Sequence, residues 1–174
     1  RMQWAKDIDL VGMVDEFGSQ VIREVDYRNE IYNAFRLNDN LDEISGVRAP
    51  YLDPNLSTKR LITMEFIDGF KVTDLAAIEA CGYSREVLAE NALRATVKMI
   101  LIDGFFHGDL HPGNVMVKRD TGEIILIDTG MVGELDLRQR LDLISLLFAL
   151  QNNDVRGLAQ TVRSRSVRFR EVNE

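Results

Sequence analysis

An α+β domain is the fold class this sequence predicts, and three observations predict it. Apolar residues recur at helical spacing in several stretches. Two pairs of short apolar runs are each joined by turn-forming residues. The two kinds alternate along the chain as helices, hairpin, helices, hairpin, helices. The 174 residues suit a single fold, and 45% hydrophobic with 28% charged residues describes an ordinary globular chain rather than a disordered one.

Taken in order, Leu10, Val11, Val14, Phe17, Val21, Ile22 and Val25 form one apolar stripe, continued by Ile31, Ala34 and Phe35. Residues 8–37 therefore read as one long helix or two in succession, with Gly18-Ser19 a point where it can break. Asn38-Asp39-Asn40 and Ser45-Gly46 signal a loop. Residues 47–52 and 59–67 then read as two strands joined through Asp53-Pro54-Asn55, an antiparallel hairpin that Asp68-Gly69 ends. Asp74 is placed to cap a short helix over residues 75–81, closed by Gly82. Ser84 is placed to cap a longer one over 85–103, closed by Gly104. Val115-Met116-Val117 and Ile124-Ile125-Leu126-Ile127 flank Thr121-Gly122 and read as a second hairpin. Helical spacing returns at 135–150 and at 155–162.

Charge and cysteine usage narrow the function classes. A net charge of −7 and a pI near 4.9 make a poor general binder of nucleic-acid phosphate, so no nucleic-acid partner is expected. The tail is an exception, with Arg163, Arg165, Arg168 and Arg170 close together; it reads as a solvated end or as a contact for an anionic membrane surface or a partner. Cys81 is the single cysteine, which excludes an intrachain disulfide and a cysteine-rich zinc site and fits a reducing, cytoplasmic setting. No run reaches the ~18–20 apolar residues of a membrane-spanning helix. The abrupt start at Arg1 is expected of a fragment of something longer.

The chemistry is concentrated in His107-Gly108-Asp109-Leu110-His111-Pro112-Gly113-Asn114, followed by Asp128-Thr129-Gly130 directly after an apolar run. The pattern is a base-type carboxylate, an amide five residues on, and a second carboxylate where the following hairpin ends. Phosphoryl transfer needs these types, because the protein supplies oxygen ligands and positioning for concentrated phosphate and metal charge. Asn114 and Asp128 offer the hard oxygens that Mg²⁺ takes, and Asp109 can orient an attacking hydroxyl or water and accept its proton. The plain alternative is that Asp109, Asn114 and Asp128 are turn residues. His107 and His111, four apart, could also be read as a metal pair, but Pro112 and Gly113 argue against the helix such a pair wants.

These residues resemble the protein-kinase catalytic loop H-R-D-L-x-x-x-x-N followed by D-F-G. Further stretches resemble the UbiB (AarF-type) atypical kinase family: Glu24-Val25-Asp26-Tyr27-Arg28-Asn29-Glu30, the hinge-like Ser57-Thr58-Lys59-Arg60-Leu61-Ile62-Thr63-Met64-Glu65-Phe66-Ile67-Asp68-Gly69, and Ile127 through Gly133. The resemblance implies a protein-kinase-like fold with an incomplete N-lobe over residues 1–67 and a mostly helical C-lobe with small β-hairpins over 68–174. It implies ATP and Mg²⁺ as cofactors, Asp109 as catalytic base, and Asn114 and Asp128 as metal ligands. Around the nucleotide it implies Glu30 as the helix glutamate that pairs the ATP-binding lysine, Glu24 and Asp26 as the E-x-D motif, Met64 as gatekeeper, and Glu65 and Ile67 as hinge contacts. His107 would brace the backbone beside Asp128. The partners implied are nucleotide and membrane lipid or quinone-biosynthesis proteins, with peripheral membrane work linked to isoprenoid-quinone or other lipid metabolism.

The departures are specific. Thr129 stands where the family usually has phenylalanine, Gly108 where protein kinases have arginine, and no A-P-E follows. No glycine- or alanine-rich phosphate loop, V-A-I-K-like lysine or K-x-G-Q occurs in the sequence, and Lys6 is the only lysine before Glu30. Weak or absent ATP turnover is therefore expected of residues 1–174 alone. Two other readings stay open: a small-molecule kinase of the choline or aminoglycoside phosphotransferase type, and a pseudokinase scaffold.

Overall fold

The computed structural model describes residues 26–165 together with Gly12, Val14, Asp15 and Gly18. Helix α1 (Tyr27–Leu41) begins where Asp26 takes extended backbone and caps it, accepting from the Arg28 amide. Gly18 is helical and Asp26 is extended, while Ser19 of the expected Gly18-Ser19 break lies outside the described residues. Ile31, Ala34, Leu37 and Leu41 form the buried face of α1, as their three- and four-residue spacing dictates.

Four short strands make the main sheet: β1 (Val47–Arg48), β2 (Gly69–Lys71), β4 (Val115–Lys118) and β5 (Ile124–Leu126). Their order is β1-β5-β4-β2, with β1 parallel to β5 and the other pairs antiparallel. The β4–β5 hairpin follows the apolar runs, and Gly122 takes the left-handed turn position. The hairpin over 47–52 and 59–67 is a correction. It shrinks to one bridge, Leu52 to Met64, with Asp53 N donating to the Thr63 carbonyl and Glu65 N to the Tyr51 carbonyl, both at 2.9 Å. Pro50 and Pro54 carry no amide hydrogen for a ladder, and the Asp53 carboxylate draws the Asn55 and Leu56 amides into a turn. Gly69 does not end a strand but opens β2, because a Cβ there would collide with the Val117 carbonyl of β4.

Helix α2 (Leu75–Ala80) is capped by Asp74 and α3 (Arg85–Val97) by Ser84, both as expected. The last turn before Gly104 is π-helical (Lys98–Asp103), with Lys98 paired to Asp103 at 2.9 Å within it. Strands β3 (Phe105–His107) and β6 (Val132–Glu134) pair in a second sheet that the sequence pattern does not announce. Helix α4 (Leu137–Gln151) starts two residues late, since Leu135 N is committed to the Gly104 carbonyl and Asp136 with Gln139 closes a capping box. Helix α5 (Val155–Arg165) follows. No helix among the described residues is long and apolar enough to cross a membrane.

The core joins α1, the π turn and both sheets through Leu37, Leu41, Met99, Phe105, Val117 and Ile124, all but inaccessible to solvent. Leu37→Ala is expected to cost about 3 kcal/mol, because Leu37 is fully buried and its truncation leaves a cavity under α1. The check is the shift of the denaturant midpoint at constant slope.

Candidate functional site

The loop from β3 to β4 is held by its own histidine. His107 ends β3, is buried, and accepts from the Asp109 amide through Nδ1 at 3.2 Å. That leaves Nε2 as the protonated nitrogen, and it donates to the Ile127 carbonyl at 3.1 Å. Ile127 is gripped again through its amide, which donates to the Asn114 carbonyl at 2.9 Å. Both main-chain groups of the residue before Asp128 are thus fixed, in accord with the bracing expected of His107. The same contacts remove the histidine metal pair, since both His107 nitrogens face protein atoms. Among the described residues no cluster of three or more His, Cys, Asp or Glu could hold a metal ion unaided.

Asn114 closes the loop on a short 3₁₀ turn (Pro112–Asn114). Its side chain is buried, and Nδ2 donates to the Asp109 carbonyl at 3.2 Å, which assigns the amide and leaves Oδ1 as the oxygen a metal could take. Asp109 is held through its backbone on both sides while its carboxylate stays about half exposed. His111 folds over the loop: Nδ1 accepts from Gly113 N at 3.0 Å and Nε2 lies 3.8 Å from Asp109 Oδ2.

Glu30, Asp109 and Asp128 line one cleft of about 220 Å³ with Tyr27, Gly130 and Met131. Asp128 is one of two non-glycine residues with positive φ, at 61°, among the described residues. Such a backbone position is uncommon and concentrates at functional turns. Burial pushes the Glu30 carboxyl up, the charge on Asp128 pushes it further, and the Thr129 amide partly opposes both. Among the described residues no cation is paired with Glu30 or Asp128.

The remaining sequence-predicted residues lie elsewhere. The Asp26 carboxylate is committed to α1 and to Arg28, whose Nε and Nη2 lie 2.9 and 2.6 Å away, and the guanidinium holds it at about 2. Glu24 lies outside the described residues. The Met64 side chain is exposed. The Glu65 amide is used by Tyr51 and its carboxylate by Arg48 and the Tyr51 amide, so only its carbonyl is free among the described residues. Neither Glu65 nor Ile67 lines the cleft.

Burial alone would raise the Glu65 carboxyl, but the Arg48 guanidinium and the Tyr51 amide outweigh it and hold it below the usual glutamate range. A lowered folded-state pKa gives stability that is present above the unfolded value near 4.5 and is lost as pH falls. The melting-temperature gap between wild type and Glu65→Gln is therefore expected to narrow from about pH 7 to about pH 3. A constant gap across that range would rule out the ion pair as its source.

Residues 2–162 match the family model described as ABC1 atypical kinase-like domain. The chain belongs to that family. It is 34% identical over 154 residues to the Arabidopsis thaliana chloroplastic protein ACTIVITY OF BC1 COMPLEX KINASE 7, covering 88% of this chain and 22% of that one. It is 33% identical over 159 residues to the probable protein kinase UbiB of Vibrio atlanticus (strain LGP32), covering 90% and 29%. The chain thus spans less than a third of the length of these relatives. Among solved structures, Rv3197 of Mycobacterium tuberculosis in its erythromycin complex superposes with a TM-score of 0.62 at 24% identity, over 95% of this chain and 43% of that one. The UbiB-type resemblance and the kinase-like α+β fold are both borne out.

For an ABC1 kinase-like domain the donor set fits Mg²⁺. Asn114 Oδ1 and the Asp128 carboxylate are hard oxygens, and the Glu30–Asp128 repulsion is of the kind a nearby cation relieves. With so few protein ligands, the ion's remaining positions would fall to water and nucleotide phosphates. Sequence reasoning missed Asn33, whose Nδ2 donates to the Thr129 carbonyl at 2.9 Å, and the Thr129 hydroxyl, which donates to the Glu30 carbonyl at 3.0 Å. Asn33 lies one turn beyond Glu30, and only that spacing could have flagged it.

Proposed function

We propose that this chain is the glutamate-helix, hinge and catalytic-loop part of an ATP- and Mg²⁺-dependent phosphotransferase or ATPase. The observation that supports it best is the meeting of Asp109, Asp128 and Glu30 in one cleft, with Asn114 tied to the Asp109 carbonyl. Asp109 orients the attacking hydroxyl or water and takes its proton. Asn114 and Asp128 hold Mg²⁺, which supplies charge neutralisation at the phosphates. Glu30 faces the same cleft to fix a phosphate-binding cation from the N-lobe. Among the described residues nothing bonds the Glu65 carbonyl or the Ile67 amide, and these would take an adenine edge.

The names of the UbiB relatives support a link to isoprenoid-quinone or lipid metabolism; work at a membrane surface in the cytoplasm is part of the same proposal and rests on the UbiB resemblance alone. The test is phosphate release from ATP by the full-length protein with and without Mg²⁺, together with thermal shift by ATP. Mg²⁺-dependent release and a shift are expected; the absence of both sinks the reading. Residues 1–174 alone are expected to turn over weakly or not at all, because the sequence carries no phosphate-loop lysine.

A further inference from the structure

Thr129 is the most completely buried polar residue among those described, at 1% exposure. Each of its polar groups is turned to one stretch of α1. Its hydroxyl donates to the Glu30 carbonyl at 3.0 Å, and its carbonyl accepts from Asn33 Nδ2 at 2.9 Å. Its amide faces the Glu30 carboxylate. Asn33 is itself buried, so these bonds run where water does not compete with them.

Direction matters here. The phenylalanine common at this position in kinase-like proteins packs by apolar contact, which is non-directional and lets a ring slide or swing out. Hydrogen bonds constrain angle as well as distance. Two of them, on two different atoms of one residue, leave it little freedom to move relative to α1. The next residue, Gly130, lies between the two carboxylates: a Cβ built on it would stand 3.4 Å from Asp128 Oδ1 and 3.9 Å from Glu30 Oε2. Movement at Thr129 would therefore change the separation of Glu30 and Asp128 directly.

We propose that Thr129 and Asn33 form a polar clasp that fixes Glu30 relative to Asp128, making Thr129 a positioning residue and holding the site in one arrangement instead of switching it by a mobile ring. The effect on turnover rests on the phosphotransfer reading; the clasp itself does not.

The test compares Thr129→Val, which keeps the shape and removes the hydroxyl, with Thr129→Ser, which keeps the hydroxyl, both in the full-length protein. Two readouts are taken: the Mg²⁺ concentration for half-maximal ATP hydrolysis, and hydrogen exchange of the amides over residues 30–34. Thr129→Val is expected to raise the Mg²⁺ requirement about tenfold, the size of one lost net hydrogen bond, and to speed exchange. Thr129→Ser is expected to stay within about twofold of wild type on both. Loss of folded protein would lower the maximal rate without moving the Mg²⁺ requirement. Should Thr129→Val fail to fold, Asn33→Ala cuts the same clasp from the helix side and is expected to give the same two changes. Valine and serine variants that match each other on both readouts overturn the proposal, as does wild-type behaviour of Asn33→Ala. If wild type shows neither ATP hydrolysis nor a thermal shift by ATP, the functional reading fails; wherever hydrolysis is absent, exchange alone decides the clasp: faster in valine than in serine upholds it, equal rates overturn it.

Discussion

Asp128→Asn in the full-length protein is expected to lower Mg²⁺-dependent ATP hydrolysis roughly a hundred- to a thousandfold, the usual scale for removing one preorganised charge from a transition state. The substitution is clean for a structural reason. Asp128 sits at φ 61°, where asparagine is among the few side chains that are readily accommodated. The backbone that aims it is fixed from Ile127 by His107 and Asn114, none of which contacts the lost charge in those bonds. Asparagine also removes the repulsion that pushes the Glu30 carboxyl up. Without Mg²⁺ the variant is therefore expected to melt no lower than wild type, while the extra stabilisation by Mg²⁺ with ATP disappears. A site that loses activity and gains or keeps stability is one whose charge serves a ligand. Unchanged hydrolysis would remove Asp128 from the metal site.

The sequence carried the motif spacing but not the reason it works. Caps at Asp74 and Ser84, and the β4–β5 hairpin with its turn at Gly122, are local, and local signals survive folding. The second sheet was invisible because β3 and β6 are three residues each and pair across a long separation, so neither shows an alternation long enough to read. The hinge hairpin was over-read because apolar alternation ignores the missing amide hydrogens of Pro50 and Pro54. Thr129 shows the deepest limit. Read alone, it is a lost aromatic ring. Its gain, bonds to Glu30 and Asn33 nearly a hundred residues earlier, exists only once α1 packs on the turn.

Asp109→Asn is expected to separate the two halves of the site. The Asp109 amide and carbonyl, not its carboxylate, bond to His107 and Asn114, so the loop keeps its shape when the side chain loses its charge. The Asn114 amide stays oriented, and Asp128 stays in place through Ile127. What disappears is a proton acceptor at the cleft, half exposed, with the His111 imidazole 3.8 Å away. A lost general base costs roughly a hundred- to ten-thousandfold in kcat. Binding of ATP with Mg²⁺ is expected to stay within about twofold of wild type by thermal shift, in contrast to Asp128→Asn, which loses both binding and turnover. His111→Gln should do far less than Asp109→Asn, since its imidazole is spent through Nδ1 on the Gly113 amide and only grazes the carboxylate. If Asp109→Asn instead weakened nucleotide binding in parallel with turnover, Asp109 would belong with the metal ligands and the attacking group would need another base.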